Sequence, residues 1–244
     1  MHNVVVTGGS RGLGLETTRT LAAAGYRVIA VARGKAAGLS AAMDDAARAA
    51  RGAIEFRAFD LSNLDAIGTF ARGLRSEFGT IYGLVNNAGL GTAGILGTMR
   101  DAQIARTIAL NTTAPILLSK YLVRSMMAAR AGRIVNIASI VAATGYSGLS
   151  VYAATKASMV GFTRSLAREV GPLGITVNAI APGFIATDMT HDLQDAQREQ
   201  IARRSALKRM PAPDDVARSV EFLLGEGGRN ITGIVLTVDA GNTA

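Results

Sequence analysis

Short runs of β-branched and apolar residues alternate along this chain with longer, alanine-rich segments of amphipathic character. The short runs are typical of strands, because Val and Ile pack well on a pleated surface. They predict strands at Asn3–Val6, Arg27–Ala32, Ile54–Ala58, Tyr82–Val85, Arg133–Ala138, Thr176–Ile180 and Ile234–Val238. The longer segments predict helices near Leu13–Ala24, Lys35–Ala50, Leu64–Phe78, Asp101–Ala129, Val151–Val170 and Pro213–Leu224.

This alternation predicts an α/β fold of the Rossmann type, a doubly wound parallel sheet of about seven strands with helices on both faces. Strands that are apolar throughout, such as Val4-Val5-Val6, fit a sheet covered on both sides. No linker or repeat divides the chain, so we expect one dinucleotide-binding and catalytic domain over residues 1–244. The one long unpatterned stretch predicts a substrate lid around residues 184–210, with a helical part at Asp192–Arg204.

The composition changes this picture little. The 244 residues are 49% hydrophobic and 18% charged, which is typical of a compact soluble protein. The formal charge of +8 raises the question of a nucleic-acid partner. Because the 26 Lys and Arg residues are scattered, a solvated basic surface is the better interpretation, and we expect no nucleic-acid binding. Such a surface would help to steer phosphorylated cofactors and acidic carriers.

Several classes of chemistry are excluded by residues that are missing. The chain has no cysteine, which rules out disulfides and thiolate catalysis, and its only histidines are His2 and His191. The first residues lack the pattern of a signal peptide, and no apolar run reaches the roughly 18–20 residues of a membrane helix. We therefore expect a cytoplasmic enzyme without a metal centre or membrane span.

A glycine turn follows the first predicted strand, with the sequence Thr7-Gly8-Gly9-Ser10-Arg11-Gly12-Leu13-Gly14. Glycines let a backbone approach a pyrophosphate, and the helix that follows offers unpaired N–H groups. The spacing differs from the common G-x-G-x-x-G fingerprint because Thr17 replaces its third glycine. An ordinary strand-to-helix turn is the alternative explanation.

The second predicted strand ends next to Arg33, where NAD enzymes carry an acidic residue for the ribose 2′-hydroxyl. An arginine at this place would attract a 2′-phosphate, and Arg11 in the glycine turn could join it. These two arginines favour NADP(H) as the cofactor, although either one could be an ordinary solvated side chain.

A phenol and an ammonium group are spaced four residues apart at Tyr152 and Lys156, and therefore share one face of a predicted helix. A tyrosine with a pKa of about 10 is a poor base at neutral pH, and a nearby cation would lower that pKa. Ser139, just after a predicted strand, supplies a hydroxyl that could orient a carbonyl group.

With these motifs in place, the chain resembles the short-chain dehydrogenase/reductase family over essentially its whole length. The matching residues are Thr7-Gly8, Gly12-Leu13-Gly14, Asp60-Leu61, Asn86-Asn87-Ala88-Gly89, Asn111, Ser139, Tyr152, Lys156, Pro182-Gly183 and Thr187. The resemblance implies that Tyr152 donates a proton to a ketone, that Lys156 lowers the Tyr152 pKa and holds a ribose, and that Ser139 stabilises the oxyanion.

Asn111 would support a water-mediated proton path to Lys156. The cofactor-binding residues implied by the turn and by the resemblance are Gly8, Ser10, Arg11, Gly12, Leu13, Gly14, Arg33, Asp60, Leu61, Asn87, Ala88, Gly89, Tyr152, Lys156, Pro182, Gly183, Ile185 and Thr187.

Local structural roles stay open for several of these residues. Asp60 could cap a helix that begins near Asn63, and Asn111 could cap or kink its own helix. Ser139 could bond the local backbone, and Thr187 could cap the lid.

Within the family, the segment Gly183–Met189 and the helix around Ser165–Glu169 resemble 3-oxoacyl-[acyl-carrier-protein] reductases, which reduce a β-ketoacyl thioester with NADPH. Arg130 matches an arginine that such enzymes offer to the acidic carrier. A second arginine of those enzymes is replaced here by Leu173, which weakens the case for a carrier protein as partner.

The leading hypothesis is thus an NADPH-dependent reductase of 3-oxoacyl thioesters, free or carrier-bound. The alternatives are an NADP-dependent dehydrogenase of another secondary alcohol, such as a sugar, polyol or secondary-metabolite ketone, and a cofactor-binding regulator without turnover. The resemblance also implies a homotetramer built through the two long helices and the last strand. Ala153, Ala154, Ala157 and Gly161 would permit close helix approach, or could pack against the chain's own sheet.

Overall fold

Seven parallel strands form one sheet in the computed structural model, which describes residues 1–185 and 195–244. The strands are β1 (Asn3–Thr7), β2 (Arg27–Ala32), β3 (Ala53–Ala58), β4 (Ile81–Asn86), β5 (Gly132–Ile137), β6 (Ile175–Pro182) and β7 (Val235–Val238). Their order across the sheet is β3-β2-β1-β4-β5-β6-β7, and every pairing is parallel. The doubly wound sheet predicted from the alternating pattern is therefore confirmed.

The described helices are α1 (Gly12–Ala23), α2 (Ala37–Ala49), α3 (Ile67–Phe78), α4 (Asp101–Ile108), α5 (Ala114–Ala129), α6 (Val141–Thr144), α7 (Ser150–Val170), α8 (Asp195–Arg204) and α9 (Pro213–Leu224). The predicted strands and helices are present, with ends that differ by at most three residues, except that the helix predicted over Asp101–Ala129 is divided. The short helix α6 is additional, and the first three residues of the helix predicted at Leu64–Phe78 form a 3₁₀ turn. No helix in the described ranges is long and apolar enough to cross a membrane.

Two apolar cores cover the two faces of the sheet. One core packs α3, α5 and α7 against residues such as Val5, Leu84 and Ile134. The other packs α1, α2 and α9 against Val4, Val28 and Val135. Because successive side chains of a strand point to opposite faces, the continuous apolar run of β1 contributes to both cores.

The segment predicted as one helix over Asp101–Ala129 is broken in the structure. A π-helical turn at Ala109–Thr113 separates α4 from α5. Pro115, in the first turn of α5, has no N–H to donate to an earlier carbonyl, and the side chain of Asn111 bonds outside its own helix. The break places Asn111 beside the carboxyl ends of the strands.

Those carboxyl ends form the edge of the sheet where the chain reverses its winding, between β1 and β4. In open parallel sheets this edge carries the ligand crevice. The lid predicted around 184–210 lies partly beyond what the structure describes, since residues 186–194 fall outside the two ranges. The helical part predicted at Asp192–Arg204 is confirmed over Asp195–Arg204.

Candidate active site

A cleft of about 780 Å³ runs along the carboxyl ends of the strands. Its lining comprises Gly8, Ser10–Gly14, Val31–Ala36, Phe59–Ser62, Asn87–Gly91, Arg106, Leu110, Ile137–Ser139, Tyr152, Lys156, Pro182, Gly183 and Ile185. Apart from Asn111 and Thr187, every residue that the sequence analysis assigned to the site lines this cleft. Asn111 lies buried behind the cleft wall, and Thr187 lies outside the described residues.

The glycine turn after β1 is packed so closely that side chains would not fit. Gly8 has a φ of +67°, and a Cβ at this residue would lie 2.9 Å from Nδ2 of Asn87. A Cβ at Gly14 would lie 2.1 Å from the carbonyl oxygen of Gly8. The glycines therefore hold the start of α1 tightly against the turn, which leaves its first N–H groups facing the cleft.

A hydrogen-bond network ties this turn to the loop after β4. The hydroxyl of Thr7 accepts bonds from the N–H groups of Asn87 at 2.9 Å and Ala88 at 3.0 Å. Nδ2 of Asn87 donates to the carbonyl oxygen of Thr7 at 2.8 Å. The network joins two sections of the cleft wall that lie 80 residues apart in sequence.

Thr17, which stands in place of the third fingerprint glycine, is fully buried in α1. Its hydroxyl donates to the carbonyl oxygen of Leu13 at 2.9 Å. The helix accommodates a threonine at this position because the hydroxyl bonds within its own turn.

The other end of the cleft carries a carboxylate between cations. Oδ1 of Asp60 accepts bonds from the N–H of Ser62 at 2.9 Å and from its hydroxyl at 2.7 Å. These two bonds lower the pKa of Asp60 below its ordinary value, and the charges of Arg33 and Arg106 act in the same direction. Asp60 thus closes a local turn before the 3₁₀ helix and caps no helix, while it still lines the cleft.

Ser139, Tyr152 and Lys156 meet at the floor of the cleft. Ser139 follows β5, whereas Tyr152 and Lys156 lie on one face of α7. Nζ of Lys156 donates to the carbonyl oxygen of Ile137 at 2.8 Å and lies 5.6 Å from the centroid of the Tyr152 ring. The structure therefore brings together the three groups that the sequence analysis had singled out for proton transfer.

Burial controls the ionisation of this group of residues. It raises the pKa of the Tyr152 phenol, and a hydrogen-bonding interaction with Ser139 works in the opposite direction. Burial also lowers the pKa of Lys156 to about 8. The expected lowering of the Tyr152 pKa by the lysine is absent from this arrangement, because desolvation of the phenol outweighs the other influences.

Asn111 fixes the wall behind this group. Its Oδ1 accepts from the N–H of Leu90 at 2.8 Å, and its Nδ2 donates to the carbonyl oxygen of Leu90 at 2.9 Å and to the hydroxyl of Thr155 at 3.2 Å. Thr155 in turn donates to the carbonyl oxygen of Tyr152 at 2.7 Å. Asn111 therefore lies in the π-helical turn that interrupts its predicted helix, and the same side chain also reaches the helix that carries Tyr152.

Two loops with apolar side chains are joined just before α7, the helix that carries Tyr152. The N–H of Gly94 donates to the carbonyl oxygen of Gly148 at 2.8 Å, which joins the loops. The Tyr146 ring packs edge-on against Phe184 with their centroids 5.7 Å apart. Ile95 and Leu96 are largely exposed on the first loop. Together with the exposed Tyr146 ring, these side chains form an apolar surface on the two loops.

Sequence reasoning missed several residues of the lining. Those with a charged or large side chain are Lys35, Phe59, Leu90, Arg106, Leu110 and Ile137. Lys35 was within reach of a sequence argument because it lies two residues after Arg33. Arg106 was not, because it enters the cleft only through the position of α4.

The cleft fits a dinucleotide. Its close-packed glycine turn, the unpaired N–H groups of α1 and the cations near Asp60 match a pyrophosphate and a second phosphate group. Tyr152 and Lys156 lie farther along the same cleft. A phosphorylated nicotinamide dinucleotide would therefore span from the cations to the phenol.

Comparison with known proteins agrees with this geometry. The model of the short chain dehydrogenase family matches residues 2–198. A 3-oxoacyl-[acyl-carrier-protein] reductase of Haemophilus influenzae is 38% identical over 239 residues, which cover 97% of this chain and 96% of that protein. Reductases of the same name from Escherichia coli and Pseudomonas aeruginosa are 39% and 38% identical over 237 residues, with 97% of this chain and 95% of each relative covered.

Proposed function

We propose that this chain, which belongs to the short-chain dehydrogenase/reductase family, reduces a 3-oxoacyl thioester to the 3-hydroxyacyl form. As a member of this family it is an oxidoreductase that acts on CH–OH groups with NADP(H) as cofactor. The observation that carries the proposal is the meeting of Ser139, Tyr152 and Lys156 at the floor of the dinucleotide cleft.

When bound, the cofactor supplies the hydride for the carbonyl carbon. Tyr152 donates the proton to the carbonyl oxygen, and its raised pKa keeps the phenol protonated at neutral pH. The hydroxyl of Ser139 donates a hydrogen bond to the same oxygen as negative charge develops on it. Both groups act from fixed positions, since Ser139 follows a buried strand and Tyr152 lies in the first turn of a long helix.

Lys156 supports these groups from behind. With a pKa of about 8 it is mostly protonated at pH 7, and its Nζ lies 5.6 Å from the centroid of the Tyr152 ring. Its ammonium group would also bind the ribose hydroxyls next to the nicotinamide. Asn111 holds α7 through Thr155 and would order a water that returns a proton toward Lys156.

The remaining site residues would hold the cofactor along the cleft. The turn from Gly8 to Gly14 would bind the pyrophosphate, Asp60 and Leu61 the adenine, and Asn87 to Gly89 the adenosine ribose. Arg11 and Arg33 would bind the 2′-phosphate. Pro182, Gly183, Ile185 and Thr187 would bind the nicotinamide end, the last of them from outside the described ranges.

The proposal extends to the thioester because of the apolar loops and the named relatives. Arg130 is exposed at the end of α5, where its Nη2 donates to the carbonyl oxygen of Pro172 at 3.2 Å. Leu173 directly follows Pro172 in the chain, and its side chain packs against the core. A carrier protein would therefore meet one arginine at this surface instead of two, so that free and carrier-bound thioesters should be reduced at comparable rates.

The test is NADPH oxidation with acetoacetyl-coenzyme A, the carrier-bound acetoacetyl thioester, a sugar and a cyclic ketone as substrates. We expect both thioesters to be reduced faster than the other two. Leu173→Arg should improve the carrier-bound substrate selectively, with a gain that shrinks at high salt. Turnover of the sugar or cyclic ketone without the thioesters would leave the family standing and refute the acyl substrate.

We also propose a homotetramer in the cytoplasm. Ala154, Ala157 and Gly161 are exposed on α7, so they are not packed against the chain's own sheet. A side chain at Gly161 would meet no atom within 4 Å among the described residues. Such a stripe of small residues allows a second copy of the helix to approach closely. Sedimentation of the wild type and of Gly161→Leu tests this: the variant should form smaller species.

A further inference from the structure

Four cations line the adenosine end of the cleft, namely Arg11, Arg33, Lys35 and Arg106. All four are exposed, and none forms an ion pair within 4.0 Å with a carboxylate of residues 1–185 or 195–244. In the same ranges, the one carboxylate that lines the cleft is Asp60. This end of the cleft therefore carries a surplus of positive charge that suits a ligand with more than one negative group.

Arg106 lies on a different part of the fold from the other three cations. Arg11 belongs to the glycine turn at the start of α1, while Arg33 and Lys35 belong to the loop between β2 and α2. Arg106 lies on α4, which contacts α7 on the other side of the sheet. The cations thus approach the adenosine end from both faces of the sheet.

The position of α4 is fixed by polar contacts of two residues that follow Arg106, Thr107 and Asn111. The hydroxyl groups of Thr107 and Thr92 lie 2.8 Å apart, and Thr107 also donates to the carbonyl oxygen of Gln103 at 2.7 Å. After α4, Asn111 forms two bonds with the backbone of Leu90. These contacts hold the base of the Arg106 side chain at the cleft wall.

Arg106 acts on the same carboxylate as Arg33. After the two hydrogen bonds from Ser62, the positive charges of both guanidinium groups also lower the pKa of Asp60. Asp60 would otherwise bring a negative charge to the end of the cleft where a phosphate dianion binds. A second cation beside it offsets that repulsion and adds attraction for the phosphate.

We propose that Arg106 is a specificity-determining residue for NADP(H), which attracts the 2′-phosphate from α4 while Arg33 and Arg11 attract it from the opposite side. This inference rests on the proposed use of the cleft for that cofactor. NAD(H) carries a hydroxyl at the same position, so Arg106 should contribute little to its binding.

The test is equilibrium binding of NADPH and NADH to the full chain, by calorimetry or by cofactor fluorescence. We expect Arg106→Gln to raise the Kd of NADPH about tenfold, the lower end of what a charge-assisted contact gives, and that of NADH less than about twofold. Arg106→Lys keeps the charge and should retain most of the selectivity. The NADPH preference of the wild type should also shrink between low and high salt more than that of Arg106→Gln.

Arg72→Gln is the matched control, because it removes an exposed arginine from α3 outside the cleft lining. It should leave both Kd values unchanged. An unchanged NADPH-to-NADH ratio in Arg106→Gln, or an equal loss for both cofactors, would overturn the inference while the cofactor assignment stands. A wild type that binds NADH as tightly as NADPH would instead overturn the cofactor assignment itself.

Discussion

Lys156→Met should change the stability of the protein in a way that depends on pH. The methionine keeps the length of the side chain and removes the charge from a residue that is 5% exposed. Burial lowers the pKa of Lys156 from 10.5 to about 8, so the folded protein holds the charged form at a cost. Each unit of pKa difference between the folded and the unfolded chain corresponds to about 1.4 kcal/mol. Keeping Lys156 charged therefore costs about 3 kcal/mol of stability at pH 7.

The sign follows from proton binding. Between pH 8 and 10.5 the unfolded chain binds more protons at this residue than the folded chain does, so wild-type stability gains with rising pH. The cost of about 3 kcal/mol is fully present below pH 8 and falls to about 2 kcal/mol at pH 9. The Lys156→Met variant is relieved of this cost but loses the hydrogen bond to the carbonyl oxygen of Ile137. That bond is worth about 1–3 kcal/mol at any pH.

Relative to the wild type, Lys156→Met should therefore be as stable or up to about 2 kcal/mol more stable at pH 7. This advantage should decrease by about 1 kcal/mol at pH 9. Urea unfolding at both pH values, at equal protein concentration, measures the difference. The control is Lys120→Met, on the exposed side of α5. Its free energy of unfolding should stay within about 0.5 kcal/mol of the wild-type value. A stability difference that is the same at pH 7 and pH 9 would refute the perturbed lysine.

Three further predictions concern the proton donor, the pH profile and the backbone. Tyr152→Phe should bind NADPH as the wild type does but lose about 10²–10⁴-fold in kcat, measured by calorimetry and steady-state kinetics; substantial turnover would mean that another group is the acid. Carbonyl reduction should decline above pH about 8 as Lys156 loses its proton, and a rate that stays flat to pH 10 would contradict that role. Ala240 and Ala50 have left-handed backbone conformations, with φ values of +56° and +51°. Ala240→Gly and Ala50→Gly should therefore each stabilise the fold by about 0.5–1 kcal/mol in thermal unfolding. A loss of stability in both variants would show that the left-handed backbone costs nothing here.

Local sequence patterns were sufficient for the elements and for most of the site. The period of apolar positions predicted the strands and most of the helices, because that period depends on how side chains project from a strand or a helix. Gly8, Arg33 and Ser139 could be placed at one edge because each directly follows a strand, and parallel strands end at the same edge. Tyr152 and Lys156 could be placed together because four residues span one turn of a helix.

The tertiary structure decided what depends on contacts between distant parts of the chain. The predicted long helix is interrupted around Asn111, whose side chain bonds the backbone of Leu90, 21 residues away in sequence. Arg106 lines the cleft because the folded chain brings α4 beside it. The pKa of Tyr152 is raised instead of lowered, since ionisation depends on how much water the folded protein removes from the phenol. Periodicity and turn chemistry are properties of neighbouring residues, whereas burial and convergence arise only when the sheet brings remote segments together.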